Sequence, residues 1–176
     1  MSDNKSDGPQ EPDNQQDEDA IAFAQGLFEL ARNGGTGPLN VMLEAGVPVD
    51  IRTNTGDSLL KLACSNGHQD TARLLLDKGA DPNLSNDQLQ TPLTSAVHRD
   101  DRDIVNLLLE AGAGVDSRPA GGRTALMVAA MLNRVGMTER LLAAGADKTL
   151  KDGDGQSALD LARAMGAEDT IRLLSK

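Results

Sequence analysis

The residues that could carry chemistry in this chain are few: Cys64, His68, His98 and two short runs of aspartate. A nucleophile at Cys64 would need a depressed pKa and access to solvent. His68 or His98 acting as base or ligand would need partners in reach, and the sequence does not place any beside them. One cysteine cannot close an internal disulfide or build a four-thiolate metal site, and two histidines restrict every imidazole-based mechanism. Gly34-Gly35-Thr36-Gly37 and Gly121-Gly122 are glycine-rich, but no lysine-serine pair follows them and no strand precedes them, so they read as turns, not phosphate loops. Asp100-Asp101-Arg102-Asp103 and Asp152-Gly153-Asp154 lack the spacing and closing glutamate of a calcium loop, and a solvated helix start accounts for the first run. No catalytic constellation, cofactor site or metal site is expected.

Composition narrows the partner class. The 176 residues carry a formal charge of -10, with two Phe and neither Trp nor Tyr. Without rings to stack bases, and with an acidic balance that repels phosphate, nucleic acid is excluded as an expected partner. The opening residues show no positive region followed by an apolar run, and no stretch reaches the length of a membrane span. A soluble cytoplasmic protein is therefore expected. Residues 1–19 hold seven carboxylates against Lys5 alone, six of the ten net negative charges, and no Leu, Ile, Val or Phe; they are predicted to form a disordered acidic tail.

What must position any functional residue is a repeat of 33. Leu27, Leu60, Leu93, Leu126 and Leu159 follow one another at that interval, as do Leu43, Leu76, Leu109 and Leu142, each trailed three residues later by Gly46, Gly79, Gly112 and Gly145. Ser58, Thr91, Thr124 and Ser157 recur as helix openers whose hydroxyls can accept from free first-turn amides, and Ala63, Ala96, Ala129 and Ala162 recur where helices must approach closely. Each unit thus predicts a helix A, a polar turn such as Ser65-Asn66-Gly67-His68, an amphipathic helix B ending at glycine, and a loop such as Asp81 to Asp87. Cys64, in register with Ala31, Val97 and Ala130, then becomes a packed small hydrophobe.

The period, Thr91-Pro92-Leu93, Asn66-Gly67-His68, and the loops Gly79-Ala80-Asp81-Pro82-Asn83 and Gly145-Ala146-Asp147 together resemble the ankyrin-repeat family. The resemblance implies an all-α solenoid of stacked helix-turn-helix units with projecting β-hairpin-like loops. One domain is expected over 20–176: a capping repeat at 20–52, repeats at 53–85, 86–118 and 119–151, and a C-terminal capping repeat at 152–176. Its first helix is expected from about Ala20 to Arg32, with Phe23 and Phe28 covering the open end, and its last from Asp169 to Lys176. The family's histidine in the helix-opening tetrapeptide is replaced by Lys61, Thr94, Met127 and Asp160, which puts local hydrogen bonds in question.

The same resemblance implies binding of another protein, without catalysis, on the concave face made of loop tips and helix A surfaces. Carried onto this chain, the contact positions include Arg52, Asp57, Asp87, Gln88, Gln90, His98, Arg99, Arg118, Arg123, Met131, Leu132, Lys151, Asp154, Gln156 and Met165. That set is slightly positive in an acidic protein, and Met131, Leu132 and Met165 place apolar side chains at positions expected to be wet, so the interface centre is expected in the third and fourth units. A monomer is expected. Small stand-alone ankyrin proteins also include bacterial ones associated with catalase and oxidative stress, which the resemblance carries as a candidate role. The alternatives are a structural spacer, a binder whose acidic tail screens its own concave face, and a thiol- or histidine-dependent enzyme.

Overall fold

A computed structural model describes residues 14–176. The described residues form ten helices in five antiparallel pairs: α1 Asn14–Asn33 with α2 Thr36–Glu44, α3 Leu59–Asn66 with α4 Gln69–Asp77, α5 Pro92–Arg99 with α6 Arg102–Glu110, α7 Ala125–Met131 with α8 Val135–Ala143, and α9 Ala158–Met165 with α10 Glu168–Leu174. The odd-numbered helices pack in one layer, each against the next, and the even-numbered helices form the second layer behind them. Among the described residues the extended contacts are two isolated antiparallel bridges, Arg52 with Ser58 and Lys151 with Ser157, at the necks of the first and last loops.

The repeated columns explain the stack. Leu27, Leu60, Leu93 and Leu126 are buried, as are the four alanines of the 63, 96, 129 and 162 column. Leu159, in the last described unit, is half-buried. Cys64 is fully buried beside Val97 and Ala130 in register. Burying side chains of this size contributes roughly 1.5–3 kcal/mol each, and every inner unit depends on both neighbours to do it.

The helix openers act as expected, with Ser58, Thr91, Thr124 and Ser157 accepting from the amides of Lys61, Thr94, Met127 and Asp160 at 3.1, 3.2, 3.3 and 3.2 Å. The return bond that the absent histidine left in question is rebuilt by other groups. The Thr91 amide donates to Oγ1 of Thr94 at 2.9 Å, the Ser157 amide to a carboxylate oxygen of Asp160 at 3.0 Å, and the Thr124 amide to Sδ of Met127 at 3.4 Å. These reciprocal pairs satisfy donors that a helix start leaves free. Lys61 instead turns to Asp57 at 3.0 Å.

Several boundaries differ from the sequence reading. Helix α1 starts at Asn14, six residues before Ala20, so residues 14–19 of the expected tail are helical. Asp17 sits in its first turn, where the helix dipole favours negative charge, and the side-chain Nε2 of Gln15 donates to Asp19 at 3.2 Å. The expected disorder of the preceding residues concerns 1–13, which lie outside the described residues. Phe28 is buried, but Phe23 is 50% exposed, on the part of α1 that extends beyond the length of α3. The final helix begins at Glu168 and ends at Leu174.

Candidate functional site

In the column 53, 86, 119 and 152, three of the four residues hold their own loop tip. Oδ1 of Asn86 accepts from the amides of Gln88 and Gln90 at 3.1 and 2.9 Å, Oδ1 of Asp152 from those of Asp154 and Gln156 at 3.0 Å each, and Oγ1 of Thr53 from those of Thr55 and Asp57 at 3.3 and 3.0 Å. Short polar side chains that cap their own turns in this way fix the tip. Pro119 cannot do so, and its loop closes with the glycines Gly121 and Gly122 instead, the Gly122 amide donating to the Pro119 carbonyl at 2.9 Å.

Neighbouring tips are then joined two by two. The Asp87 amide donates to the Thr55 carbonyl and the Gly153 amide to the Gly121 carbonyl, each at 3.1 Å. The Arg52 guanidinium bridges its own loop at Gly56 to the Ser85 carbonyl, and Arg118 does the same from Gly122 to the Lys151 carbonyl. Asn86 donates to Asp57 at 2.8 Å, and Arg123 to Asp152 at 3.3 Å. All three bonds tie the first full loop to the second and the third to the fourth. Among the described residues none of them has a counterpart between the second and third.

A concave cavity of about 510 Å³ lies over that seam. Its apolar floor comes from Leu89, Val128, Met131 and Leu132, and its polar rim includes His98, Arg99, Arg123 and Asp154. Arg99 is exposed and gives one weak bond, 3.4 Å to the Ser65 carbonyl; among the described residues it makes no ion pair. Asp152 is nearly buried and already taken by Arg123. The bond from the Gln156 amide, then those of Arg123 and the Asp154 amide, hold its carboxyl below the ordinary carboxylate range against the opposing effect of burial.

The expected contact residues separate accordingly. Gln88, Gln90, His98, Arg99, Arg123, Met131, Leu132 and Asp154 line the cavity. Arg52, Asp57 and Arg118 are spent on loop-to-loop bonds: Asp57 lies between Lys61, Asn86 and Thr55, and although burial acts to raise its carboxyl, those three donors outweigh it and keep it low. Asp87 and Lys151 are exposed outside the cavity with backbones engaged in tip contacts, and Gln156 is half-buried with its amide on Asp152. Met165 is 59% exposed and also lies outside the cavity, at the far end of the stack. The cavity therefore centres between the second and third units, one seam earlier than the sequence reading placed it.

Sequence reasoning missed Lys61, Leu89, Thr94, Ser95, Gly122, Val128 and Asp152 among the lining residues. For the seam a signal existed: Arg, Ser, Arg and Lys at 52, 85, 118 and 151 alternate at twice the period. The residues considered for chemistry are accounted for as packing. Burial, helped by the charge of Asp101, pushes the Cys64 thiol up to about 12, which keeps it protonated and unreactive. His68 reaches across units, its Nε2 lying 2.7 Å from the Arg32 carbonyl, instead of bonding within its own turn. A Cβ at Gly34, whose φ is +75, would stand 2.7 Å from its Nδ1. Asp101 caps α6 through the Ile104 amide at 3.1 Å. Among the described residues no group of His, Cys, Asp and Glu could hold a metal ion, and no helix is long and apolar enough to cross a membrane.

Five stacked helix pairs with joined loop tips define an ankyrin-type solenoid, and comparison with known proteins agrees. A family model for ankyrin repeats in three copies matches residues 27–119, and a second for ankyrin repeats in many copies matches 108–162. The chain belongs to the ankyrin-repeat family. It is 48% identical over 52 residues to an ankyrin repeat protein of Pseudomonas aeruginosa, covering 30% of each chain. It is 34% identical over 61 residues to protein phosphatase 1 regulatory subunit 27 of Mus musculus, covering 35% of this chain and 40% of that one. A third match, 41% over 46 residues, is to the ankyrin repeat and KH domain-containing protein mask-1 of Caenorhabditis elegans, covering 26% of this chain and 2% of that one. The matches thus span less than half of each relative. Proteins built of these repeats generally mediate binding to other proteins.

Proposed function

We propose that this chain is a non-enzymatic protein-binding module whose contact surface is the concave cavity at the seam between the second and third full loops. The observation that carries this reading is the interruption of the tip bonds there: an apolar floor of Leu89, Val128, Met131 and Leu132 stays open in a fold that otherwise ties its loops together. Apolar surface rimmed by arginine is the composition of an interface core. The buried, protonated Cys64 and the structural use of His68 leave the thiol- or histidine-dependent enzyme without support. The chain is read as a cytoplasmic monomer, and a partner linked to catalase or oxidative stress is one identity the following experiment would reveal.

The test is affinity purification from the source cell followed by mass spectrometry, with the full chain, a variant carrying Met131→Ser, Leu132→Ser and Arg99→Glu, and a back-face control, Arg73→Glu. A named partner recovered with wild type and control but lost with the triple variant, at unchanged helical content, is the expected outcome. Equal recovery with all three would place binding elsewhere.

A further inference from the structure

Within the cavity one residue breaks the rule of its own column. Positions 56, 89, 122 and 155 close the tip turn, their amides donating to the carbonyls of Thr53, Asn86, Pro119 and Asp152 at 3.0, 3.0, 2.9 and 3.0 Å. In the first and last of these loops the closing position is left-handed and glycine supplies it, Gly56 and Gly155 having φ of +78 and +77, whereas in the third loop the left-handed residue is Gly121, at +77, one position earlier. Position 89 has the geometry of 56 and 155, φ +62, but carries leucine. A branched side chain in that region is disfavoured by its own Cβ, and glycine would meet the same turn without strain. Leu89 also gains little from burial, being 42% exposed, and its side chain lines the cavity. Neither local geometry nor core packing accounts for leucine here. Strained residues that the fold does not require cluster where a ligand is met.

The rim specifies what is met. Arg99 is a cation without a carboxylate in reach, beside His98, whereas the buried carboxylate at the other side, Asp152, is already paired with Arg123. Asp154, the other cavity-lining carboxylate, is exposed on the fourth loop and makes no ion pair among the described residues, so the rim holds one free charge of each sign, and the one on Leu89's own unit is the positive Arg99. We propose that Leu89 is the anchor that sets specificity at this seam, and that the partner segment presents an aliphatic or aromatic side chain to it with a carboxylate alongside for Arg99. This rests on the seam being a binding surface. The chain's own residues 1–13 supply four carboxylates but no Leu, Ile, Val or Phe, so they lack the apolar half of the match.

The probe is a random dodecapeptide phage library panned on the full chain, with affinities of synthesised winners then measured by calorimetry. Selected peptides should pair Asp or Glu with a large apolar residue. Leu89→Gly should weaken the best peptide about tenfold or more while raising Tm by about 2–4 °C; Leu89→Ala, which keeps the strain but removes the side chain, should weaken binding without that rise. Arg99→Gln should favour peptides without the carboxylate. Basic winners, no enrichment, or a Leu89→Gly affinity within twofold of wild type would overturn the proposal. If Met131→Ser with Leu132→Ser abolishes binding while Leu89→Gly leaves it intact, the seam stands and the anchor falls; if neither matters, both fall. A tenfold gain on deleting residues 2–13 would show that the chain's own acidic segment occupies the seam, contradicting a separate partner.

Discussion

At Cys64 the whole question of catalysis comes down to solvent. The side chain is fully buried, and burial together with Asp101 raises the thiol to about 12, so almost no thiolate exists near neutrality. Native protein at pH 8 should resist a maleimide over hours and take up one equivalent once unfolded in denaturant; rapid native labelling would contradict the packing described. Left-handed residues offer a second test, because the same φ sign has different consequences at different sites. Asn133 has φ +52, a region that asparagine tolerates, so glycine would relieve little there. Its Oδ1 also accepts from the Thr170 amide at 3.2 Å, and its Nδ2 donates to Asp169 at 3.3 Å, tying the third unit to the last. Losing those bonds outweighs the relief. Asn133→Gly should therefore lower stability by about 1 kcal/mol in denaturant titration, opposite in sign to Leu89→Gly.

Helix starts were the elements most legible in the sequence, since a hydroxyl every 33 residues can mean little else. Thr91→Ala removes the acceptor for the Thr94 amide and half of a reciprocal pair, and should destabilise by about 1–2 kcal/mol. A rise in stability would refute the capping role. The α1 start was not legible, because Asn14 to Asp19 lacks the apolar residues by which helices are recognised; its helicity rests on continuity with the buried Leu27 and Phe28 and on carboxylates at the dipole's positive end. Carboxylates also set the acid response of the loop and helix starts. Asp57, Asp152 and Asp160 are all held below their ordinary values. Folded-state values below the unfolded ones stabilise fully above about pH 4 and lose that stabilisation as pH falls through the depressed values. Stability should thus be flat from pH 7 to 5 and decline below about 4, and Asp152→Asn should make the decline shallower. An unaltered decline in Asp152→Asn would remove that carboxylate from the account.

For the molecule as a whole, the 33-residue columns foretold the solenoid and its core leucines, because period and burial follow from the same stacking. They could not foretell which seam opens. That depends on differences between units: Arg52 and Arg118 reach the carbonyl of the next loop, Ser85 is too short to do so, and Pro119 cannot cap its own tip. Averaging units into a consensus erases such differences, so the sequence reading centred its contact set on the third and fourth units and included Met165, whereas the cavity lies over the seam between the second and third loops. The pairing of tips has its own observable. In amide exchange by NMR, Asp87 and Gly153, which donate across seams, should be protected relative to Ala120. Equal protection at all three would mean that the loops are not joined two by two.

The central claim, that binding occurs over the open seam, is tested most directly by hydrogen-exchange mass spectrometry on the full chain with and without its captured partner. Protection should concentrate in 88–99 and 119–132, spanning the second and third loops and helices α5 and α7, with α4, α6 and α8 on the back unchanged. Protection confined to those back helices, or to α1 and α9 at the ends of the stack, would contradict it.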